Sequence, residues 1–239
     1  IHHEAPEACD SLWRGPAPRL GRLLPEKNAS SFFIGWDARR LKQAARVSRS
    51  SLAYHWRMAF PALTSLFNRY LAMPPEGLIA SPVFTDQTSP SERRRDENHI
   101  WWQPTAQSPL VDFKRIEAAL ERPIHPTIQS YFQSYWAGPL PCALNGKPVE
   151  LIQLWNLEEF EQLIENIVGH FLQQQRFKQS FTFFFAVAET SSEITYTIDN
   201  VSGQVLEEVP GPGGRRTIVA RDLAEFLARL QPEGQGELH

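Results

Sequence analysis

The stretch FTFFFAVA, from Phe181 to Ala188, limits the fold more than any other part of this sequence. Successive residues of a strand point to opposite faces of a sheet, and in this stretch both sets of positions are almost entirely apolar. Such a strand is typical of the centre of a sheet that is covered on both sides. The run is also far shorter than the roughly 20 apolar residues that a membrane-spanning helix needs. The sequence therefore predicts a buried central strand with other elements packed on each side of it.

The segment before this strand, from Asn156 to Phe177, has the pattern of an amphipathic helix. Its apolar residues recur at intervals of three and four, which places them on one side of a helix. The apolar stripe consists of Leu157, Phe160, Ile164, Ile167, Val168 and Phe171. Asn156 followed by Glu159 is a capping signature, so it predicts where the helix begins. We expect this helix to lie against the core.

Three glutamates of the same helix, Glu158, Glu161 and Glu165, share one shoulder of the apolar stripe. At about 100° per residue they fall within roughly 60° of one another. Like charges four residues apart cost a few tenths of a kcal/mol in an isolated helix. Two interpretations are open. In the first, the three glutamates bind a cationic partner. In the second, they are a solvated surface, and the acids in the first turn interact favourably with the positive end of the helix dipole.

The other patterns in the sequence predict a mixture of helices and strands. Helices are predicted at 60–72, at two places within 111–138, and from the capping pair Asp222 and Glu225 to Leu230. Strands are predicted at 99–104, 149–155, 193–200 and 204–209, and a polar loop is predicted at 86–98. Helices come first, followed by a strand, a helix, an antiparallel meander and a last helix. This order predicts one α+β domain with a single, mostly antiparallel sheet packed by helices.

Charge divides the chain into two parts. Residues 1–57 contain ten Lys/Arg and five Asp/Glu, whereas residues 58–239 contain fourteen Lys/Arg and twenty-two Asp/Glu, a net charge of −8. The first methionine is Met58. Residues 1–57 are therefore interpreted either as a basic extension or as an upstream segment translated from a wrongly assigned start. The acidic domain is expected to comprise residues 58–239.

The sequence contains no pattern that specifies a reaction, a metal or a cofactor. Cys9 and Cys142 lie far apart and form no CxxC or zinc spacing. His170 is five residues from Glu165, about 140° away around a helix, so the two do not share a face. His125 precedes a helix start and is expected to brace a loop. A domain of charge −8 repels nucleic-acid phosphates and anionic lipids, and its field favours a basic partner.

Five stretches, taken in order, resemble the Syd family of SecY-interacting proteins of gamma-proteobacteria. They are RPIHPTIQSYFQSYWAG, QLWNLEEFEQLIENIVGHFLQQQRFK, FTFFFAVAE, NVSGQVLEE and ARDLAEFLARLQP. The resemblance covers roughly residues 60–232. Residues 1–57 have no counterpart in it, and the loop at 86–98 is longer than expected.

The resemblance implies the α+β fold of the SUKH superfamily and a function without catalysis. It implies a small cytosolic protein that docks peripherally on the cytoplasmic side of the bacterial inner membrane. There it would bind the cytoplasmic loops of the translocon channel SecY through a concave, electronegative groove and take part in quality control of SecY assembly. An immunity-type protein that neutralises a protein toxin is the alternative that the superfamily allows. A hydrolase that uses paired acids is a weaker alternative, and the oligomeric state stays open.

The expected SecY-binding residues are acids and aromatic residues in or beside the resembling stretches. The acids are Glu117, Glu121, Glu158, Glu161, Glu165, Asp199, Glu207 and Glu208. Tyr135 and Trp136 are expected either to anchor a partner or to pack in the core. Aromatic side chains contribute much of the binding energy of interfaces and much of the packing energy of cores. Glu159 is expected to serve the helix cap instead.

N-terminal sequencing of the natural protein tests the interpretation of residues 1–57. If Met58 is the natural start, the first residues read will be Met58 and those that follow it. Mass spectrometry of the purified protein provides the complementary measurement. A peptide covering Phe32 to Arg46 would contradict the wrong-start interpretation and establish the basic extension as part of the protein.

Overall fold

The structure is a computed structural model that describes residues 60–73, 77–188, 194–211 and 213–233. The expectations about residues 1–57 lie outside the described residues. The helices are α1 Pro61–Leu71, α2 Lys114–Leu120, α3 Pro126–Phe132, α4 Leu157–Arg176 and α5 Leu223–Arg229. None of these described helices is long and apolar enough to cross a membrane.

The strands of the described residues form three sheets, of which one is large. The first seven strands are β1 Ile79–Pro82, β2 Glu92–Arg95, β3 His99–Trp102, β4 Thr105–Ala106, β5 Tyr135–Trp136, β6 Leu140–Leu144 and β7 Lys147–Leu151. The remaining five are β8 Thr182–Ala188, β9 Thr195–Asp199, β10 Val205–Glu208, β11 Arg216–Ala220 and β12 Leu230–Pro232. The large sheet is antiparallel, with the strand order β11-β10-β9-β8-β7-β6-β12, and the order β1-β3-β2 forms a second sheet. The prediction of a single α+β domain built on one main antiparallel sheet is confirmed.

Strand β8 occupies the central position of the large sheet, as its sequence predicts. Phe183 and Phe185 point to the same face, and both rings are fully buried. The ring centroid of Phe183 lies 5.6 Å from that of Phe132 in α3, and that of Phe185 lies 5.3 Å from that of Phe226 in α5. Aromatic pairs at these distances stabilise a fold beyond the area that they bury. The core therefore lies on this face of the sheet, under α3 and α5.

The opposite face of β8 is only partly covered, which corrects the expectation of complete burial on both sides. Phe184 and Val187 are half-buried, whereas the core-facing Phe183 and Phe185 are fully buried. The cover on this face includes the C-terminal half of α4, from which His170 approaches Phe184 with a 5.4 Å centroid separation. The pattern of apolar residues does not distinguish a second packed layer from an open one.

The predicted caps of α4 and α5 are both present, and they have the same geometry. Asn156 Oδ1 accepts from Glu159 N at 3.0 Å, and Asp222 Oδ1 accepts from Glu225 N at 2.8 Å. In a usual capping box the glutamate side chain accepts from the backbone N–H of the N-cap residue. In α4 it accepts instead from the residue before the N-cap, with 2.8 Å between Glu159 Oε2 and Trp155 N. Asn156 also donates to Gln87 Oε1 at 3.0 Å. The cap therefore fixes both the start of α4 and the neighbouring loop.

The first and last helices of the described domain are joined by one arginine. Arg69 of α1 donates to the carbonyl oxygens of Leu230, at 2.6 Å, and of Leu227, at 3.2 Å. These carbonyls belong to the C-terminal turn of α5 and its exit, where a helix has no partners of its own for its last carbonyl groups. The contact therefore links the first described helix, α1, to the last, α5.

The turn between β9 and β10 packs against the start of α3, where His125 braces it as expected. His125 Nδ1 accepts from Thr127 N at 3.3 Å, and Asn200 Oδ1 accepts from His125 N at 2.9 Å. Gly203 has a φ of +75°, and a Cβ there would lie 2.8 Å from the His125 ring. This position therefore needs glycine for both its backbone conformation and its close packing.

Several boundaries differ from the sequence-based prediction. The segment predicted as a polar loop contains strand β2, in which Arg95 pairs with Glu92 at 2.8 Å. The second helix predicted within 111–138 ends at Phe132, and the chain continues into β5. Strands β6, β11 and β12 were not predicted. Of these, only β12 pairs exclusively with a distant segment, because β6 forms a hairpin with β7 and β11 pairs with the preceding strand β10.

Replacing Asn156 tests the cap of α4. We expect N156A to lower the free energy of unfolding by about 1–2 kcal/mol, because both the cap and the bond to Gln87 are lost. N156D keeps the capping oxygen and adds a favourable charge at the helix N-terminus, so we expect it to lose less. Urea denaturation measures both. Equal losses for the two variants would contradict a dominant role for the cap.

Candidate functional site

The exposed side of α4 carries the three glutamates that the sequence singles out. Glu158 and Glu165 are exposed. The carboxylate of neither residue forms a hydrogen bond or an ion pair with another described residue. Glu161 is partly exposed and accepts from Arg115 Nη1 of α2, with 2.6 Å between Nη1 and Oε2. An exposed ion pair of this kind contributes at most about 1 kcal/mol. Two of the three carboxylates are thus fully available to a partner.

Two leucines of α4 are exposed beside these carboxylates. Leu157 is 59% exposed, so its predicted place in the buried apolar stripe is wrong, and Leu172 is 57% exposed. Positions 158, 165 and 172 recur every seven residues, so they lie on one side of the helix, along about 21 Å at 1.5 Å per residue. We call Glu158, Glu161, Glu165, Gly169 and Leu172 the outer α4 face. It combines negative charge with an exposed apolar contact point, as partner-binding surfaces do.

The predicted acids outside α4 do not join this face as a single surface. Glu117 is half-buried, and its Oε1 accepts from Ile124 N at 3.0 Å and from Gln129 Nε2 at 3.1 Å. It therefore braces the connection between α2 and α3. Glu121 is exposed at the C-terminal end of α2, where it has a left-handed φ of 53°. Of these two acids, only Glu121 presents its side chain to solvent.

Asp199 organises the turn that follows β9. Its Oδ1 accepts from Ser202 N at 2.7 Å and from Val201 N at 3.1 Å. Burial opposes ionisation of this carboxyl, but the hydrogen bonds from Ser202 and Val201 outweigh it and lower its pKa. Asp199 is thus an ionised group that is already used by the turn.

Glu207 and Glu208 point to opposite faces of the sheet because they are neighbours in β10. Glu207 is partly buried, and its Oε1 lies 3.9 Å from Arg215 Nη2. The Glu208 side chain is 1% exposed and pairs with Arg216 at 2.8 Å. This burial corrects the expectation that Glu208 contributes to a binding surface. Strand alternation was the signal that one of the two acids must point inward.

Tyr135 and Trp136 pack in the core, which corrects the expectation that they anchor a partner and matches the alternative interpretation. Their exposed fractions are 8% and 9%. The Tyr135 hydroxyl lies 2.9 Å from Thr64 Oγ1, and its ring centroid lies 5.3 Å from that of Phe67. Trp136 accepts a hydrogen bond from Ser91 at its carbonyl oxygen. Both rings are therefore removed from the candidate surface.

A buried polar network surrounds Glu208, and sequence analysis did not predict it. Thr182 Oγ1 donates to Glu208 Oε2 at 2.7 Å, and Thr197 Oγ1 donates to the same oxygen at 3.1 Å. Gln174 of α4 donates to Thr182 Oγ1 at 2.7 Å. Burial alone would raise the pKa of Glu208, but the hydrogen bonds from Thr182 and Arg216 lower it. The network ties α4 to four strands of the sheet, β8, β9, β10 and β11.

This network includes His170, but its geometry fits a structural role better than a catalytic one. His170 Nε2 lies 2.7 Å from Gln174 Nε2 and 3.3 Å from Thr182 Oγ1. Burial lowers the pKa of His170 and favours the neutral ring, despite the nearby Glu208. The Thr182 hydroxyl has no exposed surface for a substrate to reach. Within the described residues, no three His, Cys, Asp or Glu side chains come together as metal ligands.

The match to a family of known proteins covers almost all of the described domain. Residues 60–232 match the family model described as Syd protein (SUKH-2). The chain belongs to the Syd family. Its residues 1–57 lie outside the match.

Individual Syd proteins resemble the chain over most of their length. The protein Syd of Psychromonas ingrahamii is 39% identical over 156 residues, covering 64% of this chain and 84% of the relative. The protein Syd of Tolumonas auensis is 34% identical over 175 residues, or 73% and 90% of the two chains. The protein Syd of Yersinia pestis strain Pestoides F is 36% identical over 175 residues, or 72% and 94%. The similarity thus covers 84–94% of each of these relatives.

Sequence reasoning identified the acids of the outer α4 face but not its other members. Leu172 lies outside the apolar stripe, about 100° from its centre, and that position was the signal for its exposure. The buried network had no such signal. Its members come from α4, β8, β9, β10 and β11, and only the strand register brings them together.

Glu159, beside this face, is a partly buried carboxyl whose ionisation opposes folding. Burial raises the pKa of Glu159 to about 7, although the hydrogen bond from Trp155 N partly opposes the shift. An unfolded glutamate ionises near pH 4.3. Between these two values the folded chain holds more protons than the unfolded chain, so the free energy of unfolding falls as pH rises.

The variant E159Q tests this linkage, because it keeps an acceptor for Trp155 N and removes the titrating group. We expect E159Q and the unchanged protein to be similar in stability at pH 5. At pH 8 we expect E159Q to be more stable, by about 2–3 kcal/mol. Urea denaturation at pH 5, 6, 7 and 8 provides the measurement. All other ionisable groups are common to the two proteins, so the comparison isolates the effect of Glu159. A stability difference that does not change with pH would show that Glu159 ionises normally.

Proposed function

We propose that this Syd-family chain binds cytoplasmic segments of the translocon channel SecY and acts in quality control of SecY assembly. The observation that carries the proposal is the outer α4 face, whose exposed carboxylates lie inside the family match. The proposed function involves no catalysis, no cofactor and no nucleic acid. Its partner is a basic protein segment.

The charge of the domain supports a basic partner at the membrane. Cytoplasmic loops of membrane proteins are enriched in Lys and Arg. Residues 58–239 carry a net charge of −8, and the field of such a domain raises the rate of encounter with positive segments. The same charge is repelled by the anionic lipids around the channel. We therefore propose peripheral attachment to the cytoplasmic side of the inner membrane through protein contacts.

The proposed SecY-binding surface contains only some of the residues that the sequence analysis named. The proposed contact residues are Glu158, Glu161, Glu165 and the exposed Leu172, with Glu121 on the neighbouring helix. Glu117 and Asp199 have structural partners within the domain, and Glu207 lies on a different element. The proposed surface is therefore a helix face rather than a groove lined by all eight predicted acids.

Charge reversal at one exposed position tests the proposed surface. We expect E165K to weaken binding to SecY by roughly fivefold and E158K/E165K by more than tenfold, because an attraction becomes a repulsion in each case. The matched control is E97K, which makes the same charge change at an exposed residue of the turn between β2 and β3. The measurement is the dissociation constant for SecY in lipid nanodiscs. Equal effects of E165K and E97K would show that only net charge matters and would remove the outer α4 face from the site.

Salt dependence tests the electrostatic part of the proposal separately. Exposed charges are screened over about 10 Å at 0.1 M salt and over about 3 Å at 1 M. We expect the affinity for SecY to fall steadily between about 50 and 500 mM NaCl and E158K/E165K to show a weaker salt dependence. Affinity that does not change with salt would indicate an apolar interface instead.

A further inference from the structure

Gly169 occupies the interior of α4, where glycine is unfavourable. The helix runs from Leu157 to Arg176, so Gly169 has more than one turn of helix on each side. Glycine loses more backbone freedom in a helix than any other residue, and alanine is the best replacement. A glycine at such a position therefore suggests that a side chain there would interfere with packing, backbone conformation or binding.

No contact within the described domain accounts for this glycine. Gly169 has no positive φ, and apart from the adjacent backbone of α4 itself a Cβ built on it would meet no described atom within 4 Å. The contrast is with Gly203, whose conformation and packing both require glycine, and with Gly138, where a Cβ would lie 2.9 Å from Trp102. The missing side chain at Gly169 thus leaves open space on the outside of the protein.

This open space lies on the outer α4 face. Gly169 follows Glu165 by four residues and precedes Leu172 by three, and both spacings place neighbours on the same side of a helix. The glycine is therefore a gap in this row of side chains, with the three carboxylates on its N-terminal side and the exposed Leu172 on its C-terminal side. Along the axis, Glu165 and Leu172 are about 10 Å apart.

We infer that the gap at Gly169 is the point where a basic helix of the partner crosses α4. The inference rests on the proposed function, because it names the conformation of the segment that the outer α4 face binds. Packed helices are usually 8–10 Å apart, depending on the side chains between them, and a glycine at the crossing allows the closest approach. The partner helix would contact Gly169 and Leu172 with small or apolar side chains.

The chemistry of a helix surface favours a helix over an extended segment as the occupant. The backbone N–H and C=O groups in the middle of α4 already bond to one another, so an extended chain finds no backbone partners there. Glu158 and Glu165 are seven residues apart, which is about 10.5 Å along the axis. Lys or Arg residues seven apart on a second helix have the same spacing. The occupant is therefore expected to have basic residues at this interval beside its apolar contact.

Two substitutions at Gly169 separate this role from a structural one. G169A and G169L both replace glycine with better helix formers, so we expect the melting temperature to rise by about 2–4 °C. G169L also fills the gap, and we expect it to weaken binding to SecY by at least tenfold. The control is Q175L, which adds the same side chain at an exposed position of α4 about 120° around the helix. We expect Q175L to bind within twofold of the unchanged protein.

The partner's conformation is measured with synthetic peptides that cover the cytoplasmic loops of SecY. The peptide that binds is expected to gain helical circular dichroism in the complex. If the unchanged protein binds SecY and G169L binds equally well, or if the bound peptide stays extended, the inference is overturned and the proposed function stands. If the unchanged protein binds neither SecY nor any loop peptide, the proposed function is overturned, and the inference fails with it.

Discussion

The packing of β8 against the helices on its core face is the interaction on which the rest of the structure depends. Phe183 and Phe185 project from the central strand toward α3 and α5, and the neighbouring strands extend the same apolar face on either side. Helix α4 contributes Phe160, whose ring centroid lies 5.5 Å from that of Phe113. Because its apolar stripe is used in this way, α4 must turn its carboxylates outward. The exposed acidic surface is a consequence of the core.

The opposite side of the sheet is held by a polar network as well as by the contact of His170 with Phe184. Glu208 receives hydrogen bonds from Thr182, Thr197 and Arg216 and lies almost completely buried. A buried carboxylate is tolerated only when its oxygens are satisfied, as they are here. This network fixes the C-terminal half of α4, and with it Gly169 and Leu172, relative to the strands. The geometry of the outer α4 face thus depends on buried groups that a partner never touches.

The sequence predicted the elements with strong periodicity and missed several short strands with weak periodicity, one of which, β12, also depends on distant pairing. The bounds of α4 and its cap follow from local spacing and a local hydrogen bond, and both were predicted. The same is true of β8, β9 and β10. Strands β6, β11 and β12 are short, and β12 pairs with a segment more than 80 residues earlier. For the candidate site, helical spacing placed three glutamates on one face, but only coordinates show that Glu208 and Trp136 are buried or that Gly169 borders open space.

The contact between Arg69 and the exit of α5 has a consequence for synthesis of the protein on the ribosome. The two carbonyl oxygens that Arg69 bonds belong to residues that are 158 and 161 positions later in the chain. The first described helix can pack against Tyr135 earlier, but it gains its contacts with α5 and β12 only when nearly the entire domain has left the exit tunnel. During that interval the apolar side of α1, which includes Leu63 and Leu66, has no native surface from α5 or β12 to cover it. Transiently exposed apolar surface is prone to aggregation, so this side of α1 is a vulnerable part of the nascent chain until translation is almost finished.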